Sequence, residues 1–131
     1  GGVLTADLDK NYDLTSGADK FYKVVAGAVT IGGTNTSSAS ATASTTSTYV
    51  KVGDTVSLSI AIADAALVGG SGGTSVTVAA TNGTVNNQNP ASGAQFFTAN
   101  AAAGTSASVS VEIATATDKD ITLTATLSDK A

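Results

Sequence analysis

Thr55-Val56-Ser57-Leu58-Ser59-Ile60-Ala61-Ile62-Ala63 alternates large apolar with small or polar residues along its whole length. Val56, Leu58, Ile60 and Ile62 share one parity, and Thr55, Ser57, Ser59 and Ala61 share the other. Side chains of an extended strand alternate between its faces, so the pattern predicts a half-buried strand with an apolar inner face. Two later stretches repeat it. In residues 106–115, Ala107, Val109, Val111 and Ile113 point inward against Ser108, Ser110 and Glu112. In residues 121–128, Ile121, Leu123, Ala125 and Leu127 oppose Thr122, Thr124, Thr126 and Ser128.

Just before the first of these strands, Lys51-Val52-Gly53-Asp54 reads as a turn. Residues 21–31, Phe-Tyr-Lys-Val-Val-Ala-Gly-Ala-Val-Thr-Ile, form a near-continuous apolar run and predict a strand covered on both faces. Gly27 in its middle predicts a bulge or a close backbone approach. Residues 37–50 are almost wholly Ser, Thr and Ala and predict an edge strand, with a surface loop as the alternative. Gly69-Gly70-Ser71-Gly72-Gly73 reads as a flexible connection with no core contribution. Residues 74–81 predict a strand with Val76 and Val78 inward. Asn82-Gly83 is a two-residue hairpin signal, with Thr84-Val85-Asn86 as its short return and residues 87–93 as a loop. Residues 94–99 predict a short strand whose Phe96 and Phe97 supply much of the aromatic core. No stretch keeps a helical period for more than a few residues. The expectation is an all-β chain, an Ig-like or jelly-roll β-sandwich of eight or nine strands. It occupies residues 19–131, preceded by an N-terminal extension, residues 1–18.

Composition narrows the function. The chain of 131 residues carries ten carboxylates against six lysines, a net charge of −4, and no arginine. Nucleic-acid phosphates call for clustered Lys and Arg, so nucleic acid is not an expected partner. Only 12% of residues are charged, which leaves a Ser/Thr/Asn/Gly/Ala surface poor at repelling copies of itself. There is no Cys and no His, which removes the usual catalytic triads and the commonest metal-ligand set. The pattern places no carboxylate pair across one cleft, and an enzyme is not expected. Absence of Met and a start at Gly1-Gly2 point to a processed, secreted chain whose signal peptide is already removed. No apolar run approaches the ~20 residues of a membrane span. The expected location is extracellular, at the cell surface.

The extension is itself patterned as a strand. Leu4, Ala6, Leu8, Tyr12 and Leu14 line one face, broken by Lys10, and Val3, Thr5, Asp7, Asp9, Asn11 and Asp13 line the other. Such a terminal strand needs a sheet to complete, in its own chain or in a neighbour. Asp7, Asp9, Asn11 and Asp13 also recur at alternate positions, as in the start of a calcium loop, which makes calcium the one cofactor to consider. Against it, Tyr12 stands where that loop wants glycine, and an extended strand splays these groups ~6–7 Å apart. A solvated polar face is the plainer reading. Asn35-Thr36-Ser37 and Asn82-Gly83-Thr84 match the N-glycosylation acceptor pattern, both in expected surface turns.

The segment from Val50 to Leu127, carried by Val50-Lys51-Val52-Gly53-Asp54-Thr55-Val56, Thr81-Asn82-Gly83-Thr84-Val85 and Ile121-Thr122-Leu123-Thr124-Ala125-Thr126, resembles the prokaryotic Ig-like domains of invasins, adhesins and surface-layer proteins. That resemblance implies a spacer or adhesive module. An N-terminal strand before a sandwich also looks like the organisation of donor-strand-complemented pilus and thread subunits, the cysteine-free archaeal type being the closer analogue. It implies a homopolymer in which residues 4–14 enter the sandwich of the next copy. The alternative is a domain of an adhesin or surface layer whose N-terminal strand pairs in its own sheet.

Overall fold

The computed structural model describes residues 20–32, 39–46 and 49–130. They form nine strands: β1 Tyr22–Ile31, β2 Ser40–Thr45, β3 Tyr49–Val50, β4 Thr55–Asp64, β5 Thr74–Thr81, β6 Gly83–Asn89, β7 Gln95–Phe97, β8 Ser106–Ala116 and β9 Ile121–Asp129. The first sheet runs β3-β1-β9-β5-β7 and the second β2-β4-β8-β6. The two face each other as a β-sandwich, as the alternating strands predict. No helix occurs among the described residues.

The three strongest sequence patterns supply the centre. In β4, Val56, Leu58, Ile60 and Ile62 are buried; in β8, Val109, Val111 and Ile113; in β9, Ile121, Leu123, Ala125 and Leu127. β4 lies antiparallel to β8, with Leu58 opposite Val109 and Val56 opposite Val111, so large side chains share one face of the pair. β9 joins β5 antiparallel on one side and β1 parallel on the other. A parallel neighbour needs a crossover rather than a hairpin. Here that crossover is the entire second sheet and the strands between.

Four expectations need correction. The first concerns β1, which is not covered on both faces: only Val24 is fully buried, and Lys23, Ala28 and Thr30 are exposed. Its pairing with β9 slips by one residue between Ala26 and Val29, the bulge that Gly27 predicts. The extra residue flips the parity, so Val24 and Ala26 face inward before it, and Val29 and Ile31 after it. A run that reads as two-faced is two one-faced halves. Gly27 also makes the expected close approach: a Cβ there would stand 2.8 Å from the Thr122 methyl.

The second is the Asn82-Gly83 hairpin. Asn82 has the left-handed backbone such a turn uses, φ 60°. The strands it joins do not pair, because β5 belongs to one sheet and β6 to the other. Asn82 makes a corner between layers, where Thr117 N donates to its carbonyl oxygen at 3.0 Å. Third, residues 87–89 are not loop but the end of β6, paired with Val111 and Ser110 of β8. Fourth, the glycine-rich stretch is a packed corner. Gly73 has φ +75°, and a Cβ on it would lie 1.9 Å from the Phe97 carbonyl oxygen. Gly72 N donates to Lys130 O at 3.0 Å and Lys130 N to Gly73 O at 2.8 Å, which ties this corner to the end of β9.

Residues 37–50 divide between the sheets. β2 is the predicted small-residue edge strand, whereas Tyr49 and Val50 form β3 in the opposite sheet. Phe97 is buried and Phe96 half-buried, their rings 4.7 Å apart at 67°, an edge-to-face pair. Leu67, in the lead to the glycine corner, is fully buried and bridges to Ala101.

Candidate functional site: an open flank of the sandwich

A β-sandwich has sheet edges, and an unprotected edge offers a row of backbone donors and acceptors to another strand. How each edge is closed therefore indicates where this molecule can take a partner.

The β5 edge is covered in two ways. β7 pairs with its first residues, Thr74 opposite Phe97 and Ser75 opposite Gln95. Beyond β7 the side chain of Asn87, reaching across from β6, takes over. Val78 N donates to Asn87 Oδ1 at 3.3 Å, and Asn87 Nδ2 donates to Val76 O at 3.2 Å. One primary amide thus occupies both a donor and an acceptor of the strand edge, in place of a neighbouring strand. The β6 edge is broken by register shifts at Thr84/Val85 and Asn87/Asn89 and stops at Pro90, which has no N–H.

The opposite flank, where β1 packs across from β2, is different. β3 pairs with β1 only at Tyr22 and Lys23. Among the described residues, positions 24–31 of β1 have no strand on that side. β2 is a short edge of Ser, Thr and Ala. Ala26, Val29 and Ile31 of β1 and Ala41 and Ala43 of β2 pack on the core yet stay partly exposed. Small and branched apolar side chains thus line this flank. Chemically, it is suited to accept a strand: main-chain hydrogen bonds give affinity and side-chain fit gives register.

The parallel pairing of β1 with β9 also gives the sandwich a direction. Val24 lies beside Ile121 and Ile31 beside Leu127, so both strands start at one end and finish at the other. The chain enters beside Asp118, which forms an ion pair with Lys20, and leaves β9 at the far end. Lys20 donates to the Asp118 carboxylate and holds its pKa below the ordinary value through this hydrogen bond and its positive charge.

Of the residues singled out in the sequence, Leu4, Ala6, Leu8, Tyr12 and Leu14 lie outside the described residues. So do Asp7, Asp9, Asn11 and Asp13, and Asn35. Asn82 is exposed, and its Nδ2, the atom a glycan would modify, donates to Asp120 O at 2.9 Å. The Thr84 hydroxyl of the same motif shares a 2.7 Å hydrogen bond with that of Thr115. Asp54 serves a turn, its Oδ2 accepting from Lys51 N at 2.9 Å. Among the described residues no three acidic side chains converge to hold a metal ion. No described helix is long and apolar enough to cross a membrane. Sequence reasoning missed Asn87, placed in a loop because Asn-Asn-Gln-Asn lacks apolar alternation. The half-buried Val85 two residues earlier was the available signal. It also missed β3, since two residues carry no periodicity.

Comparison with known protein families, with curated proteins and with solved structures found no match.

Proposed function

We propose that this protein is the structural subunit of an extracellular surface filament, polymerising by donation of its N-terminal strand to a neighbouring copy. One observation carries the reading. The buried core of the described sandwich is assembled from residues between Val24 and Leu127. The sequence adds an apolar stripe, Leu4, Ala6, Leu8, Tyr12 and Leu14, and a strand with one greasy face stabilises whatever sheet it completes. Entry and exit at opposite ends of the sandwich suit a head-to-tail contact that does not close on itself, and such a contact propagates as a fibre. The low charge and Ser/Thr-rich surface favour self-association in the same direction.

Removing residues 1–14 and imaging the product by electron microscopy tests this. The expected result is a folded monomer that forms no filaments. Continued filament growth would overturn the reading. The same opposed entry and exit favour a second reading, one module in a string of surface domains. Under that reading the truncated and complete proteins would both stay monomeric, and the truncation would lower stability because the strand pairs in its own sheet.

A further inference from the structure

We infer that the acceptor for the donated strand is the outer edge of β1, residues 24–31, and that residues 8–14 of a second copy lie parallel to it. This rests on the strand-donation reading and assigns its receiving site, orientation and register. The choice of edge follows from the closures. The β5 edge is occupied by β7 and the Asn87 amide, and the β6 edge is broken by bulges and Pro90. Among the described residues, the β1 edge carries β3 at Tyr22 and Lys23 and no strand beyond them.

β3 also selects between the chain's own strand and a neighbour's. A hairpin folding residues 8–14 back onto β1 of the same chain runs antiparallel. It begins against Tyr22 and Lys23, the two positions that β3 already holds. A strand from the next copy arrives from the Ile31 end, where no described strand stands in the way. In a head-to-tail stack the entry end of one sandwich abuts the exit end of the next, so the arriving strand runs parallel to β1. Residues 15–19 span at most about 17 Å, which requires the two sandwiches to sit end to end.

Register follows from side-chain size. With Leu14 beside Ile31, Tyr12 falls beside Val29. The β1 bulge absorbs one acceptor residue, and Leu8 then falls beside Val24. All three pairs present apolar groups to the same seam. Lys10, the one misfit of the donor face, meets Ala26-Gly27-Ala28, the three smallest residues of β1. They leave room for its stem to lie along the strand and its ammonium to turn out to water. The pairing stops at Leu8 because β3 begins there.

The chain has no cysteine, so single thiols can be placed cleanly in the complete protein. Asp13→Cys and Thr30→Cys, made in separate chains and mixed during assembly, are treated with a short thiol cross-linker. The expected product is a covalent dimer of the two chains, at least tenfold more abundant than from Asp13→Cys mixed with Val25→Cys. A preference for the Val25 partner means an antiparallel strand, and an intrachain link in the Asp13→Cys/Val25→Cys double variant means a hairpin; either overturns the inference. Filaments that need residues 1–14 but link neither pair place the acceptor elsewhere, which refutes this site and leaves strand donation standing. Filaments indifferent to residues 1–14, or none under any condition, refute strand donation and this site with it.

Discussion

Asn87→Ala removes the amide that closes the β5 edge, and its cost can be worked from the geometry. Two hydrogen bonds are lost, from Val78 N at 3.3 Å and to Val76 O at 3.2 Å. Both are long for their type, and a net hydrogen bond contributes about 0.5–1.5 kcal/mol. The site is part-buried, so water can reach one or both backbone groups once the side chain is gone. The full penalty for an orphaned buried group is therefore not incurred, and about 2 kcal/mol in total is expected. For a domain of this size that corresponds to a fall of roughly 6–10 °C in Tm. Urea unfolding of the variant and of Asn86→Ala, an exposed neighbour on the other face of β6, makes the comparison. The Asn86 change should cost under about 0.5 kcal/mol. The Asn87 variant should also associate at high concentration, since it exposes a second open edge. Equal stability of the two variants would show that the amide closes nothing, and the choice of β1 as the receiving edge would lose its main contrast.

Three further outcomes are expected. Gly73→Ala combines φ +75° with a Cβ 1.9 Å from the Phe97 carbonyl oxygen, and should cost more than about 3 kcal/mol. Gly53→Ala has φ +98° but open space around the Cβ, and should cost only about 1–2 kcal/mol; equal midpoints in urea would contradict the difference. Thr74 is fully buried, and its Oγ1 has no hydrogen-bond partner among the described residues. Thr74→Val keeps the shape and removes the stranded hydroxyl, so a gain of about 1–2 kcal/mol is expected by thermal unfolding, and a loss would mean the hydroxyl is satisfied. Lys20 lowers the Asp118 pKa, so this pair stabilises the fold above the ordinary carboxylate range and ceases to do so as pH falls through the lowered value. An NMR titration should show Asp118 returning to its ordinary pKa in Lys20→Ala, and an unmoved titration would exclude the pairing.

Strict alternation in the sequence specifies the sandwich and the identity of its centre. Wherever a strand keeps strict alternation, as at Val56-Leu58-Ile60-Ile62, Val109-Val111-Ile113 and Ile121-Leu123-Ala125-Leu127, those residues are buried, because one face must leave water and period two admits one choice. Gly27 was legible for the same reason: a residue without Cβ inside an apolar strand marks a break in register. The amphipathic stripe of residues 1–14 is equally plain in the letters, although its place lies outside the described residues.

Which strands become neighbours is a property of the assembled sheets. Asn82-Gly83 carries a local signal for a left-handed turn and adopts it, but a turn's dihedrals do not say whether the next strand pairs with the last or crosses to the other sheet. Crossing wins because Val85 and Asn87 reach the core and the β5 edge only from the opposite layer. The glycine corner reads as flexible since glycine allows many conformations; packed under Phe97 and tied to Lys130, it keeps one. Edge status is likewise a property of the assembled sheet. Nothing in Tyr49-Val50 announces that it closes two positions of β1 while positions 24–31 stay without a strand among the described residues. The difference between a closed edge and an open one comes from residues far apart in the chain, and short-range periodicity contains no information about them.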